Sequence, residues 1–455
     1  MEEITLRRES RRTLLKSLAA IGAGLYVGPV ARAGDSKSPN ERLNLGLVGV
    51  GGRGYANLRG VASQNLVALC DVDGRRAKTA FEEYPQATKY ADFRRMLDGE
   101  TLDGVAISTT DHLHVPIALD AMRRGLPVYV EKPLGHNVWE TRLAAQVAKE
   151  QGVATQMGTQ IHAGDNYRRV VELVRAGAIG PIEEVHVWVG KGWGGGTRPT
   201  DTPPVPEELD WDLWLGPAPE RPYHPTYLPA NWRRWWDFGS GTLGDMGCHY
   251  LDLVFWALGL KHPTAVAAAG PPPDAETAPL GMTATWDFPA RRVGPAVAAD
   301  GSAAGSADGD EPAGVEMPAV KVTWYDGDRA PRELHGVKLP GSGVLFVGQE
   351  GQLLADYGSR RLFPEEKFAD FTPPEPTIPA SIGHHAEWIE AVKTGVPTTC
   401  DFAYSGPLTE TVLLGLVAYR LGRPIAWNAE TLTVPDAPEA AALIRPPYRA
   451  GWEIA

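Results

Sequence analysis

Asp245 and His249 stand four residues apart in Gly244-Asp245-Met246-Gly247-Cys248-His249-Tyr250-Leu251-Asp252, at the entry to an apolar run that continues to Leu260. On a helix this spacing puts carboxylate and imidazole on one face, where the acid can orient or charge a ring that titrates near neutrality. The same spacing also decorates solvent-facing helices. Lys132, in Glu131-Lys132-Pro133, closes a short apolar run. At the C-terminal edge of a parallel sheet such a lysine stands beside a bound ligand, and elsewhere it is a solvated surface cation. Gly49-Val50-Gly51-Gly52-Arg53-Gly54 follows the run Leu45 to Val50. Glycines at a strand-to-helix turn let backbone N–H groups and the helix N-terminus approach a pyrophosphate. Asp71 ends the next run, twenty residues beyond Gly51, where a carboxylate can accept from the adenosine ribose hydroxyls. An acid there repels a 2′-phosphate, so NAD is expected over NADP, with Arg75 and Arg76 keeping NADP open.

The elements that must position these groups are legible as alternating patterns. Apolar runs Leu45 to Val50, Leu66 to Asp71, Gly104 to Thr109, Val128 to Lys132 and Ala154 to Gly158 have the length of buried parallel strands. Helix-like stretches Arg75 to Tyr84, His114 to Arg124 and Val138 to Gln151 lie between them. The spacing predicts an α/β fold: an N-terminal Rossmann domain, with a doubly wound parallel sheet, over 43–160. Beyond it, a helix at Asn166 to Ala176 and strands at Ile182 to Val189, Met282 to Phe288, Val320 to Tyr325 and Val344 to Val347 predict an α+β domain over 161–400. Its sheet is expected to be open and largely antiparallel or mixed. Residues 289–318, rich in Ala, Gly, Asp and Pro, read as a flexible insertion without catalytic duty. A C-terminal helix and tail are expected over 401–455.

Taken together, GVGGRG (Gly49 to Gly54), CDVD (Cys70 to Asp73), STTDHLH (Ser108 to His114), EKPL (Glu131 to Leu134) and GDMGCHYLD (Gly244 to Asp252) resemble the Gfo/Idh/MocA family of oxidoreductases, over about residues 43–430. The resemblance implies hydride exchange between NAD and a carbohydrate hydroxyl, with Lys132, Asp245 and His249 in the active site. It assigns Gly49, Gly51, Gly52, Arg53, Gly54, Asp71, Thr109, His114, Glu131 and Lys132 to the cofactor. Alcohol oxidation needs a base for the hydroxyl proton and a cation beside the developing alkoxide. His249 suits the first, oriented by Asp245, and Lys132 suits the second or shares the proton relay.

Gln160, His162 and Arg168 follow the last Rossmann strand and are placed to reach a sugar. Seven of the fourteen tryptophans fall between Trp188 and Trp236. Core packing accounts for Trp211 and Trp214. For Trp193, Trp232 and Trp235 packing competes with stacking on the apolar faces of a sugar, beside Arg233 and Arg234 as fork-shaped donors. His384-His385 opens a helix without an acidic partner at metal-ligand spacing, so no metal is expected.

The net charge is −12, and no Lys/Arg-rich block follows residue 33, which sets nucleic-acid binding aside. Cys70, Cys248 and Cys400 are too scattered for a disulfide framework or a thiolate zinc site. At the N-terminus, Arg7, Arg8, Arg11, Arg12 and Lys16 precede an apolar run from Leu18 to Val30 that closes on Ala31-Arg32-Ala33. This is a signal-peptide pattern, too short for a stable membrane anchor, and Ser10 to Lys16 resembles a twin-arginine export signal. Residues 1–33 are therefore expected to be cleaved, with 34–42 as a linker and the protein periplasmic or otherwise exported through the twin-arginine machinery. Outside the cytoplasm free dinucleotide is scarce, so NAD is expected to be loaded before export and held tightly. A homo-oligomer, dimer or tetramer, is expected. Two other readings are a redox-neutral glycosidase working through a transient 3-keto sugar, and a non-catalytic dinucleotide- or sugar-binding protein. Retention of Lys132, Asp245 and His249 disfavours the latter.

Overall fold

The computed structural model describes residues 42–294 and 315–454. The expected export signal and the centre of the 289–318 insertion lie outside the described residues. The first half comprises strands β1 (Asn44–Val48), β2 (Asn65–Cys70), β3 (Thr88–Tyr90), β4 (Gly104–Ile107), β5 (Val128–Val130) and β6 (Thr155–Met157). Between them run helices α1 (Arg53–Gly60), α2 (Gly74–Glu83), α3 (Phe93–Gly99), α4 (Asp111–Arg123) and α5 (Val138–Gln151). The strands form one parallel sheet in the order β3-β2-β1-β4-β5-β6. β4 and β5 are apolar and buried along their whole length, as strands covered by helices on both faces must be. The edge strand β3, Thr-Lys-Tyr, is largely exposed and carries no apolar signal. Strand order reverses between β1 and β4, which opens a crevice at their C-terminal ends.

The second half contains α6 (Asp165–Arg175), β7 (Ile182–Val189), α7 (Trp211–Leu215), α8 (Gly241–Leu258), β8 (Ala265–Ala269), β9 (Thr283–Phe288), β10 (Arg291–Val293), β11 (Val315–Met317) and β12 (Val320–Asp326). There follow β13 (Glu333–Leu334), β14 (Val337–Lys338), β15 (Ser342–Gly348), β16 (Gly351–Ala355), β17 (Arg360–Phe363), α9 (His384–Thr394), α10 (Phe402–Leu421) and β18 (Ile425–Ala426). Eight strands make a mixed sheet, β17-β16-β15-β7-β12-β9-β8-β18, in which the β7–β12 pair is parallel. β7 lies at the centre of the sheet and is buried on both faces from Val185 to Val189. Val185, Val187 and Val189 join the helix-covered core, while Trp188 faces the other way, under Val337, Leu345 and Leu354.

The expected insertion is ordered at both ends, because β10 and β11 pair antiparallel from Arg291↔Met317 to Val293↔Val315 and bury Val293 and Met317. Helix α10 is more than a tail. Its Gly406 lies by Ala145 of α5 and its Gly415 against Trp286 of β9 and Leu243 of α8, so it packs against both halves of the chain.

Candidate functional site

The first strand turns into α1 through the Gly-rich segment. Gly49 and Gly52 have φ of 78° and 55°, conformations open to glycine at little cost. A Cβ on Gly54 would fall on the Gly49 carbonyl, and one on Gly49 would sit 2.5 Å from the Ser108 carbonyl oxygen. Asp71 Oδ2 accepts from Val50 N at 2.9 Å and its Oδ1 from Asp73 N at 3.0 Å, so the acid at the end of β2 braces the turn. A cavity of about 360 Å³ opens here, lined by Gly49, Gly51, Gly52, Arg53, Asp71 and Thr109, and reaching Trp232 and Arg233. Arg75 is committed to Asp73 by two hydrogen bonds of 2.8 and 2.6 Å. The bare backbone, the acid and the cavity fit a dinucleotide, and Arg76, which lines the same cavity, leaves room for a 2′-phosphate as well as a free 2′-hydroxyl.

At the end of β5, Lys132 Nζ donates to Asp245 Oδ1 at 2.7 Å and to the Asp245 carbonyl at 2.6 Å. Arg233 Nε donates to the same Oδ1 at 2.9 Å. Burial alone would raise the Asp245 carboxyl, but the Lys132 ammonium and the Arg233 guanidinium outweigh it and hold the acid well below the usual carboxylate range. The expected Asp245–His249 pairing is corrected here. Two cations claim the carboxylate, and among the described residues no hydrogen bond joins it to the imidazole. His249 instead backs onto protein with its Nδ1 buried and unpartnered, its ring 6.3 Å from Tyr357. Burial, reinforced by the Lys132 charge, lowers its pKa to about 3, so the imidazole is neutral at physiological pH.

Other expected ligands serve the scaffold. Glu131 Oε1 accepts from Arg53 Nε (3.1 Å), Asn57 Nδ2 (2.9 Å) and Gln160 Nε2 (2.7 Å), which ties the Gly-rich helix to the end of β5 and commits Gln160 to the same node. The ring nitrogens of His114 face the carbonyls of Pro133 at 2.8 Å and Thr109 at 3.2 Å, so His114 clamps the two loops rather than the cofactor. His162 is fully buried, its Nδ1 2.9 Å from Asp252 Oδ1 and its ring stacked on Trp256 at 4.1 Å. A buried carboxylate needs donors, and His162 and Tyr404 provide them. Arg168 spans Pro379 O and Glu387. As placed, Gln160, His162 and Arg168 are committed to protein partners rather than to a sugar.

The tryptophan group divides. The Arg233 guanidinium lies 4.3 Å from the Trp232 ring and 5.6 Å from that of Trp193, beside the cavity. Trp235 is 1% exposed within an aromatic cluster with Tyr227 and Phe238, which makes it core. Trp211 and Trp214 stack at 4.7 Å in that same cluster.

Sequence reasoning missed Asp111, 3% exposed at the first residue of α4. Burial pushes its carboxyl up to about 7 despite the opposing charges of Arg233 and Lys132. The residue lies inside STTDHLH, but an acid at a helix start reads as ordinary first-turn decoration.

A family model described as "Oxidoreductase family, NAD-binding Rossmann fold" matches residues 43–159, and one described as "Oxidoreductase family, C-terminal alpha/beta domain" matches 170–284. The chain is 30% identical over 224 residues to the rhizopine catabolism protein MocA of Rhizobium meliloti, covering 49% of this chain and 59% of that protein. It is 27% identical over 268 residues to a glycosyl hydrolase family 109 protein of Saccharopolyspora erythraea, covering 52% of each. The chain thus spans little more than half the length of the curated relatives it matches. Among solved structures, GenD2 from gentamicin A biosynthesis, in complex with NAD, shares the fold with a TM-score of 0.57 at 21% identity, covering 87% of this chain and 99% of that one.

Proposed function

The chain belongs to the Gfo/Idh/MocA oxidoreductase family, and from that premise we propose that it exchanges hydride between a secondary hydroxyl of a sugar, cyclitol or glycoside and an NAD it retains. The observation that carries this reading is the junction of Lys132 and Arg233 on one oxygen of Asp245, with Arg233 also forming the wall of the dinucleotide cavity. NAD, held by the Gly49–Gly54 turn and Asp71, supplies the two-electron acceptor for the carbinol carbon. Lys132 Nζ has three donors. Two are spent on Asp245, and the third meets the substrate oxygen and steadies negative charge growing there. His249, neutral and with its Nδ1 enclosed by protein, accepts from the hydroxyl at Nε2 and takes its proton as hydride departs, when that proton has become far more acidic than the imidazolium. Asp245 fixes the Lys132 ammonium and balances part of its charge. Trp193 offers a flat apolar face to the sugar beside Arg233, while Trp232, 6% exposed and covered by the Arg233 guanidinium, backs that wall from the aromatic cluster.

The reading includes export through the twin-arginine route, supported by Ser10-Arg11-Arg12-Thr13-Leu14-Leu15-Lys16. Arg11→Lys with Arg12→Lys keeps the charge and is expected to stop export, because the arginine pair is read as an address. Unchanged periplasmic yield removes this part of the proposal.

The relatives named as glycosyl hydrolase family 109 proteins favour one second reading, a glycosidase in which C3 is oxidised, the acidified C2 proton leaves, the aglycone is eliminated, and water and the same electrons return. Both readings require NAD to leave with the protein on purification and to appear on denaturation. A panel of glycosides then separates them. Accumulation of a keto sugar with reduced cofactor supports the oxidoreductase, and aglycone release without net cofactor reduction supports the glycosidase. Protein that carries no NAD and binds none when it is added refutes both.

A further inference from the structure

On the face of the second sheet opposite α8, a group of side chains lies outside the chemistry described so far. Glu184 and His186 are two residues apart on β7 and so share a face. The hairpin β13–β14 folds over that face, and at its tip His335 has φ of 48° and Gly336 of 78°, a two-residue turn with both central residues left-handed. This turn brings His335 Nε2 to 3.3 Å from His186 Nε2. Glu184 closes the triangle, with Oε1 2.8 Å from His186 Nε2 and Oε2 3.6 Å from His335 Nε2.

Two imidazole nitrogens pointing at each other beside a carboxylate are held together by a proton or by a cation. Zinc binds imidazole nitrogen at about 2.0–2.1 Å in a tetrahedron, which sets two such nitrogens about 3.3 Å apart. The observed separation has that value, and the Glu184 carboxylate keeps an oxygen within reach of each nitrogen. His186 is nearly buried, and its Nδ1 lies 3.1 Å from Tyr325 Oη. With Nδ1–H donating to that oxygen, the Nε2 lone pair is free, and the hydroxyl serves as the outer partner that orients a metal-bound imidazole. Glu184 and His335 are 40% and 35% exposed, which leaves a fourth position to water.

We propose that Glu184, His186 and His335 bind a divalent transition cation of the zinc type. Two nitrogen ligands and one carboxylate favour this class over calcium or magnesium, which take oxygen ligands. The cation joins residues 149 positions apart and pins the β13–β14 hairpin across β7. It stands on the opposite side of the sheet from Asp245 and His249, so its role is to fasten the fold rather than to take part in turnover.

The test uses the chelator-treated full chain, titrated with Zn²⁺ by calorimetry and with Co²⁺ by visible absorption. One Zn²⁺ per chain, the intense band of tetrahedral Co²⁺, a raised melting temperature with Zn²⁺ and no response to Mg²⁺ or Ca²⁺ are expected. His335→Asn tolerates the left-handed turn and removes the imidazole, and Glu184→Gln removes the charge. Each should weaken Zn²⁺ at least about tenfold, as Tyr325→Phe should to a smaller degree. Absence of Zn²⁺ binding by the folded wild type, or equal stoichiometry and affinity in His335→Asn, overturns the proposal and leaves the two imidazoles sharing a proton.

Discussion

Lys132 Nζ and Asp245 Oδ1 meet at 2.7 Å across 113 residues of sequence, one at the end of a Rossmann strand and the other on the first turns of α8. Removing the lysine leaves Arg233 to hold the carboxylate, so the fold should survive while the chemistry fails. Lys132→Ala and His249→Ala are each expected to lower turnover about a hundredfold or more, the scale of a lost proton-transfer or charge-stabilising group. NAD affinity should change little. Stopped-flow reduction of bound NAD by a responsive sugar is the measurement, and wild-type rates in both variants would refute the assignment.

Asp111 gives a pH signature. Its folded pKa of about 7 exceeds the unfolded value of about 4. The protonated acid is therefore the form compatible with burial, and wild-type stability is lost as pH rises from about 4 through about 7. Asp111→Asn lacks this loss, so its stability relative to wild type should grow between pH 4 and pH 8, by on the order of 4 kcal/mol. Chemical denaturation at the two pH values checks this, and a difference independent of pH contradicts it.

At the Gly-rich turn, Asp71→Ala removes a brace on Val50 N and, in the proposed NAD site, the ribose acceptor and the repulsion of a 2′-phosphate. NAD affinity should fall about tenfold or more, and NADP affinity less. Gly54→Ala forces a Cβ onto the Gly49 carbonyl and should abolish binding of both. Equal losses of NAD and NADP in Asp71→Ala would remove Asp71 from ribose recognition and leave it as a brace of the turn.

His162→Ala tests the division between substrate contact and scaffold. With His162 bound to the buried Asp252, the variant strands a carboxylate and should lose about 3 kcal/mol of stability. KM for the sugar should stay near the wild-type value in whatever fraction remains folded. A raised KM at unchanged melting temperature would return His162 to the substrate.

Regular elements with a clean period are legible in the amino-acid sequence itself. Helix Val138–Gln151 and strand Ile182–Val189 occur with the predicted limits, since an Asn cap, a terminal glycine and a β-branched run are local signals. Lys132, Asp245 and the glycine turn are legible as motifs. The partner of Asp245 is not, because Arg233 reaches it from a loop whose path depends on an aromatic cluster distant in sequence. Residue type likewise does not tell whether His162, Arg168 or Trp235 faces a cavity or a neighbouring side chain. Each is a plausible sugar ligand by chemistry and a buried strut by position.

Helix α10 has a mechanical consequence. Thr409 on it hydrogen-bonds to Leu134 N just beyond Lys132, and its buried Glu410 takes the Arg142 guanidinium of α5, one contact being 3.1 Å, while the same helix lies under β9. A clamshell opens along a seam crossed by few contacts, and here a twenty-residue beam is riveted to both leaves. Separating the Rossmann sheet from the second sheet would require breaking a buried ion pair and uncovering the beam. In the proposed function, ligands would then enter and leave by loop movements at the rim rather than by a hinge between the two sheets.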